Sequence, residues 1–201
     1  MPRTADKNDI PQRLTTAGYE LFSRLGYNAT GIQQIAEQAG VPKGSFYNHF
    51  DSKEAFAAVI IRQYAEWVNG AWEACVEDAP VRPQVDALAV LRHVFERFIQ
   101  HHEQAACPGC LVGNFAAEVA ESSVMCRAVL RESMQNWRER LAELIELAQQ
   151  QGQVRTDSNA MLLSAMVWDA WEGALLRMKV EHQSQPLKDT VNLLFDRLLR
   201  P

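Results

Sequence analysis

The stretch from Thr30 to Glu54 constrains the fold of this chain more than any other part of it. Its first half repeats apolar residues at the i, i+3, i+4 and i+7 spacing that lines one face of a short helix: Ile32, Ile35, Ala36 and Ala39. Thr30 stands at the N-cap position, and Gln33 three residues later completes a capping-box pattern. Gly40 can adopt the left-handed conformation that ends a helix, and Pro42 prevents that helix from continuing.

A second short helix is predicted to run from Ser45 to Phe50. Phe46 and Phe50 are four residues apart, so both rings can be buried together against the first helix. This burial turns the neighbouring polar side chains towards solvent: Lys43, Ser45, Tyr47, Asn48 and His49. Two short helices, a turn containing glycine and an exposed polar second helix are the parts of a helix-turn-helix.

The exposed residues of this unit are suited to contact a DNA duplex. Lysine can bind phosphate, and hydroxyl, amide and imidazole groups can hydrogen-bond to phosphates or base edges. A glycine lets the backbone approach the duplex closely. The alternative is a helical hairpin with a solvated face, but the caps, the turn and the aromatic pair together favour DNA binding. The candidate DNA-contacting residues are Thr30, Lys43, Gly44, Ser45, Tyr47, Asn48, His49 and Lys53.

The run AGVPKGSFYNHFDSKEAF, residues 39–56, resembles the DNA-binding signature of the TetR family of bacterial repressors. Within it, PKGSFYNHF and the later GCLVGN are similar to the NemR/AcuR branch of that family. The resemblance implies an all-α homodimer of about nine helices. It implies that a three-helix helix-turn-helix domain, residues 1–53, binds a palindromic operator. The ligand-binding and dimerisation domain, residues 54–201, would bind a small-molecule inducer that releases the DNA.

The rest of the chain has helical spacing, with no alternation that predicts a strand. A first helix is predicted from Ile10 to Gly26, and a long helix from about Ser52 to Val76 connects the two domains. Further helices are predicted to end near His102 and at Gly152. No Gly/Ser-rich linker separates the domains, so we expect them to be mechanically coupled.

The last two helices are the predicted dimer interface. One is capped by Asp157 or Ser158 and is apolar around most of its circumference, and the final helix carries a strong apolar stripe: Leu187, Val191, Leu194, Phe195 and Leu198. One subunit of this size is not expected to cover both helices, so we expect them to pair with their copies in a four-helix interface. Burial of both helices within one subunit is the alternative.

Charge and cysteine content indicate where the chain works. Residues 1–53 carry six Lys/Arg and five Asp/Glu, a net charge of +1, and the remainder carries fourteen and twenty, which together give −5. The sign suits DNA binding at the N-terminal end. The sequence has no signal peptide and no apolar run long enough to span a membrane. Four cysteines are too few for a secreted disulfide scaffold. We therefore expect a cytoplasmic protein with reduced thiols and no membrane partner.

A second informative segment holds Cys107 and Cys110 in C-x-x-C spacing, with Cys110 placed at or just before a helix start. A zinc site would need further ligands in a recognised spacing, which His101 and His102 do not provide. A thioredoxin-type centre needs a βαβ context, and a helical peroxidase needs a histidine on the following turns. The resemblance implies that the cysteine matching Cys110 senses electrophiles or oxidants. The alternative is a small buried side chain that shapes the helix start.

The inducer site is predicted among the C-terminal helices, where an apolar cavity with a few polar groups is required. Its candidate residues are Phe95, Phe98, Cys110, Asn114, Phe115, Glu118, Trp137, Trp168, Trp171 and Glu172. Aromatic residues at these spacings are more often plain core. Asn114 and Glu172 are the most informative, because polar residues in apolar helices need a partner or a ligand. Pairing across the dimer interface would also satisfy Glu172.

The sequence predicts neither a cofactor nor a metal, and we do not expect an enzyme. It contains no Gly-rich phosphate loop, no metal-ligand cluster and no Ser/His/Asp pattern. The rival class is an all-helical, thiol-dependent redox enzyme that uses Cys107 and Cys110. A helical scaffold without DNA binding is a third class, and it would fail to select any sequence from a duplex library.

Overall fold

The computed structural model describes residues 9–104 and 109–201, and these residues form nine α-helices and no strand. The all-α prediction is therefore confirmed. The helices are α1 Ile10–Leu25, α2 Ile32–Ala39, α3 Lys43–Tyr47, α4 Lys53–Glu77, α5 Ala87–Gln104, α6 Leu111–Val119, α7 Val124–Gln150, α8 Ala160–Glu181 and α9 Gln185–Leu193, which continues into a π-helical turn, Leu194–Leu198.

The chain forms two compact units, and each takes its residues from two separate parts of the sequence. The first unit contains the described residues of 1–66 together with 111–133. The second contains the described residues of 67–110 together with 134–201. The division into a DNA-binding domain, 1–53, and a ligand-binding domain, 54–201, concerns function and stays a prediction.

The first unit is built on α1 and the two short helices that follow it. The side chain of Asp9 caps α1 by accepting the Gln12 backbone N–H at 3.2 Å, and Gly26 ends the helix with a φ of 83°. Phe22 of α1, Ile35 of α2 and Phe56 of α4 are fully buried. Apolar spacing predicted these helices because each of them buries one face in a shared core.

Two predicted helix caps lie at neighbouring residues instead. The hydroxyl of Thr30 donates to the carbonyl of Gly26 at 2.7 Å, so it is not available to cap α2. The backbone N–H of Gly31 is satisfied by Gln34 Oε1 at 2.8 Å, and Gly31 is the N-cap residue. The Thr30–Gln33 capping box is therefore wrong by one residue.

The N-cap of α8 also differs from the prediction. Asn159 Oδ1 accepts the backbone N–H of Leu162 at 2.8 Å. The carboxylate of Asp157 is instead engaged by the guanidinium of Arg155, two residues before it. The predicted cap at Asp157 or Ser158 is wrong because this local ion pair takes the carboxylate away from the helix end.

The second unit has an aromatic core. The ring of Phe95 on α5 lies 5.1 Å from Trp171 on α8 and 5.6 Å from Phe195. Trp137 on α7 lies 5.3 Å from Trp168.

In the part of the chain that the structure describes, no helix combines the length and the hydrophobicity that crossing a membrane requires.

Candidate nucleic-acid interface and effector site

Helix α3 is shorter than predicted, and it begins and ends earlier. It covers Lys43–Tyr47 rather than Ser45 to Phe50. Its start follows Pro42, whose carbonyl accepts the backbone N–H of Ser45 at 2.9 Å. Its end comes where the Phe46 carbonyl accepts the N–H groups of His49, at 3.1 Å, and of Phe50, at 2.9 Å. Asn48 and His49 consequently lie in the turn after α3 rather than on the helix.

An aromatic cluster anchors α3 to the first unit. Phe46 is fully buried and Phe50 is half-buried. Their ring centroids are 5.4 Å apart, and both contact Phe56 of α4, at 5.1 and 4.7 Å respectively. Edge-to-face contacts at these distances add to the free energy of burial. The prediction that Phe46 turns inward is confirmed, whereas Phe50 is only half-buried, and the ring that both of them contact belongs to α4 rather than to α2.

The polar residues beside this cluster face solvent. Tyr47 is 52 % exposed. The structure brings six of the predicted DNA-contacting residues together on α3 and its following turn, all exposed except Ser45, which is half-buried: Lys43, Gly44, Ser45, Tyr47, Asn48 and His49. A phenol, an amide, an imidazole and an ammonium group on one edge can contact phosphates and base edges of a duplex.

The other two predicted residues, Thr30 and Lys53, are placed differently. Thr30 is 1 % exposed, and its hydroxyl is bonded to the Gly26 carbonyl, so it does not belong to the exposed edge. The Lys53 ammonium lies 4.1 Å from the centre of the Tyr27 ring. Burial lowers the pKa of Lys53, and the charge of Glu118 acts in the opposite direction. Lys53 is therefore a half-buried cation held by a cation–π contact.

Three residues predicted for the inducer site belong to the first unit. Phe115 is buried, with its ring 5.2 Å from Phe22 and 5.9 Å from Tyr27. Glu118 Oε2 accepts the backbone N–H of Asn28 at 2.8 Å. Asn114 is also in the first unit, whereas the other seven candidates lie in the second. Helix α6 thus contributes side chains to the unit that carries the candidate DNA-contacting edge.

Within the second unit, Glu172 is the most unusual of the candidates. Its Oε1 is buried and receives no hydrogen bond from the described residues. Burial raises the pKa of Glu172, and a hydrogen bond with Cys110 partly offsets this rise. On α5, burial lowers the pKa of His102 to about 4, with His101 contributing in the same direction. Both shifts favour the neutral form of the buried group.

The thiol segment is described only at one end. Cys110 stands immediately before α6, which begins at Leu111, as predicted. Cys107 lies outside the described residues, and so does any pairing that it makes. Among residues 9–104 and 109–201, no group of three His, Cys, Asp or Glu residues is arranged to hold a metal ion.

Sequence comparison identifies proteins that are similar over most of the chain. The family model "Bacterial regulatory proteins, tetR family" matches residues 14–60, and "Tetracyclin repressor-like, C-terminal domain" matches residues 87–194. The HTH-type transcriptional repressor DhaR from Mycobacterium sp. (strain GP1) is 33 % identical over 193 residues, which cover 96 % of this chain and 94 % of that protein. The transcriptional regulator AcuR from Cereibacter sphaeroides is 33 % identical over 92 % of this chain and 84 % of its own length.

A solved structure has the same fold. The crystal structure of the regulatory protein TetR from Rhodobacter sphaeroides superimposes with a TM-score of 0.83 and 31 % sequence identity. The superposition covers 92 % of this chain and 96 % of that one. These matches confirm both the family resemblance and its narrower form, the likeness to the NemR/AcuR branch.

Proposed function

This chain belongs to the TetR family of DNA-binding transcriptional regulators, and we propose that it is a repressor that a small molecule releases from a palindromic operator in the cytoplasm. Regulators of this family bind operator DNA and function as dimers. The observation that carries the proposal is the exposed edge of Tyr47, Asn48 and His49 beside the fully buried ring of Phe46. Burial of the Phe46 ring holds this edge in place and leaves its polar groups exposed to solvent.

Dimerisation is needed because a single five-residue α3 contacts too few base pairs to be specific. Two copies of α3 spaced about 34–36 Å apart fit successive major grooves on one face of the duplex. Four residues of the predicted stripe on the final helix are buried within one subunit, so that part of the expectation is wrong: Leu187, Val191, Leu194 and Phe195. Other apolar side chains of the last helices are exposed and support pairing of the subunits through them. Leu176 and Val180 on α8 are 62 % and 79 % exposed, and Leu193 on α9 is 55 % exposed. A second copy of the same helices would remove this apolar surface from water.

The proposed inducer site is in the second unit, around Glu172, with aromatic walls supplied by Phe95, Trp137, Trp168 and Trp171. An unsatisfied carboxyl oxygen in an apolar environment is costly, so a hydrogen-bonding ligand would stabilise the protein there. A small, largely apolar molecule with one hydrogen-bonding group fits this chemistry. Any reorganisation that its binding causes in α8 would reach the proposed dimer interface, because Glu172 lies between Trp168 and Leu176 on that helix.

Release by thiol modification is a second candidate, and the hydrogen bond between Cys110 and Glu172 is the observation that favours it. Addition of an electrophile to the Cys110 sulfur would remove the thiol proton and break this bond. Intact-mass and peptide mass spectrometry after mild electrophile or peroxide exposure tests this candidate. No adduct and no disulfide at Cys107 or Cys110 would end it.

Operator recognition is tested by selecting genomic fragments with the purified full-length chain and measuring their affinity by fluorescence anisotropy. We expect a selected duplex to bind far more tightly than a random duplex of equal length, and the affinity to fall steeply with salt because cations contact phosphates. Equal affinity for both duplexes would exclude operator recognition. Turnover of peroxide or disulfide substrates by the same preparation would instead favour the redox-enzyme alternative.

A further inference from the structure

The turn that joins α2 to α3 is held by a side chain from outside the helix-turn-helix. Gly40 adopts the left-handed conformation, with a φ of 65° and a ψ of 37°. Its backbone N–H donates to the Glu37 carbonyl at 3.0 Å, and the N–H of Val41 donates to the Ala36 carbonyl at 3.0 Å. This is a Schellman motif. It satisfies the carbonyls of residues 36 and 37, but it does not provide donors for those of Ala39 and Gly40.

Arg13 on α1 provides those donors. Its Nη2 donates to the Gly40 carbonyl at 2.9 Å and also to the carbonyl of Ala39. Helix α2 has no basic residue in its last turn, so Arg13 supplies a positive charge at the negative end of the helix dipole. The two acceptors are 26 and 27 residues away in sequence, so the contact ties α1 to the end of α2.

The residue at position 40 matches this arrangement in two ways. A glycine adopts the left-handed conformation without strain. A Cβ atom at this position would lie 2.8 Å from Arg13 Nη2, so the missing side chain also leaves room for the guanidinium. The hydrogen bond from Arg13 to the Gly40 carbonyl therefore depends on a glycine at position 40, because a larger residue would crowd the guanidinium.

The contact between Arg13 and the α2–α3 turn constrains the orientation of α3. Only Val41 and Pro42 separate Gly40 from Lys43, the first residue of α3, and the Pro42 carbonyl accepts the Ser45 N–H at 2.9 Å. A rotation of the peptide at Gly40 would consequently swing α3 and the exposed edge that it carries. Arg13 holds the two carbonyls that such a rotation would displace.

We propose that Arg13 is a positioning residue for DNA reading, which together with the buried Phe46 ring sets the orientation of α3, acts through the α2–α3 turn and does not act as a phosphate contact. The inference deepens the proposed function and rests on it. Loss of the guanidinium should reduce operator selectivity, because base contacts depend on the orientation of α3. Non-specific binding should change little, because it depends on the number of cations near phosphates.

The test compares Arg13→Gln with Arg24→Gln in the full-length protein. Arg24 is an exposed residue of the same helix, so both variants lose one positive charge. Each is titrated against a genomic duplex selected by the wild-type protein and against a random duplex, at several salt concentrations. We expect Arg13→Gln to bind the selected duplex about tenfold more weakly, since charge-assisted hydrogen bonds are lost. Its affinity for the random duplex and its salt dependence should match those of Arg24→Gln.

Three results would overturn the inference and leave the proposed function standing. Equal weakening on both duplexes, with a reduced salt slope relative to Arg24→Gln, would make Arg13 a phosphate contact. If Arg13→Gln is folded and keeps the wild-type selectivity, Arg13 has no role in base recognition. If circular dichroism shows that Arg13→Gln is unfolded, Arg13→Met decides: it keeps a long side chain but has no donor for the two carbonyls, and an unchanged ratio of selected to random affinity contradicts the inference. Failure of the wild-type chain to select any duplex would overturn the proposed function, and the inference about Arg13 with it.

Discussion

The carboxylate of Glu118 on α6 accepts a hydrogen bond of 2.8 Å from the backbone N–H of Asn28, ninety residues earlier in the chain. Asn28 belongs to the loop between α1 and α2, and so does Gly26. A Cβ atom at position 26 would lie 2.3 Å from Glu118 Oε1, so the glycine leaves room for the carboxylate. Phe115, three residues before Glu118, contacts Phe22 and Tyr27. Helix α6 therefore holds the loop that leads into the helix-turn-helix with one charged and one aromatic side chain.

This contact predicts a specific pattern of stability. Glu118→Ala leaves the Asn28 N–H without its acceptor and should lower the free energy of unfolding by about 1 kcal/mol. Glu118→Gln retains a carbonyl oxygen at the same place and should recover most of that loss. Urea denaturation followed by circular dichroism measures both. Glu121→Ala, at an exposed position, is the control for loss of a negative charge. Equal stabilities of Glu118→Ala and this control would show that the contact contributes nothing.

The buried anchor of α3 should matter for folding. Phe46 is fully buried and contacts both Phe50 and Phe56. Phe46→Ala removes these contacts and leaves a cavity, which should cost about 3–5 kcal/mol. Phe46→Leu fills more of the space and should cost considerably less. Thermal and urea unfolding of the two variants give the comparison, and a Phe46→Ala protein as stable as wild type would contradict the burial.

The exposed edge should matter for DNA and not for folding. Tyr47→Ala and Asn48→Ala remove side chains that face solvent, so the free energy of unfolding should change by no more than about 0.5 kcal/mol. Affinity for a selected duplex should fall about tenfold or more, since each good base contact contributes about 1–3 kcal/mol. Fluorescence anisotropy measures the loss. Wild-type affinity of Tyr47→Ala would take α3 out of the reading role.

Local sequence signals predicted most of the helices. The spacing of Leu14, Leu21 and Phe22 predicted α1, and a single glycine at position 40 located the end of α2, because apolar faces and left-handed glycines act within one or two helical turns. Boundaries were less well predicted where two groups compete for one partner. Thr30 bonds to Gly26 and Asp157 pairs with Arg155, so neither caps the helix beside it.

Long-range contacts could not be read from spacing. Arg13 reaches a turn 27 residues away, and Glu118 reaches a loop 90 residues away. In the sequence, Arg13 is an ordinary charge on an amphipathic helix and Glu118 is a polar residue in an apolar one. The only sequence signals of their partners were Gly40 and Gly26, whose missing side chains leave the space that Arg13 and Glu118 occupy. The placement of Phe115 and Glu118 in the first unit follows from packing that spacing alone does not specify.

Burial of His102 predicts a dependence of stability on pH. The pKa of His102 is lowered to about 4 in the folded protein, from an ordinary value of 6.5. As the pH falls below 6.5 the unfolded chain binds a proton that the folded chain does not, so stability is lost between pH 6.5 and 4. The loss from this group should reach about 2 kcal/mol by pH 5.

Urea denaturation at pH 7.5 and pH 5 tests this pH dependence. His102→Phe should lose about 2 kcal/mol less than wild type between the two conditions, because a phenylalanine side chain has no group that binds a proton. His49→Gln, which changes an exposed histidine, should behave as wild type does. An equal loss in wild type and His102→Phe would show that His102 titrates alike in both states.

The exposed apolar side chains of α8 predict that a single charge disrupts the dimer. Leu176→Asp places a carboxylate on the surface that we propose is covered by the second subunit, and desolvating this charge on both sides of a two-fold interface is costly. Sedimentation velocity should show a monomer at concentrations where the wild type is dimeric. Val85→Asp, at a residue that is 71 % exposed outside α8 and α9, should remain dimeric. The monomer should also bind a selected duplex at least about a hundredfold more weakly, because one α3 no longer raises the effective concentration of the other. A dimeric Leu176→Asp protein with full affinity would move the interface to another surface.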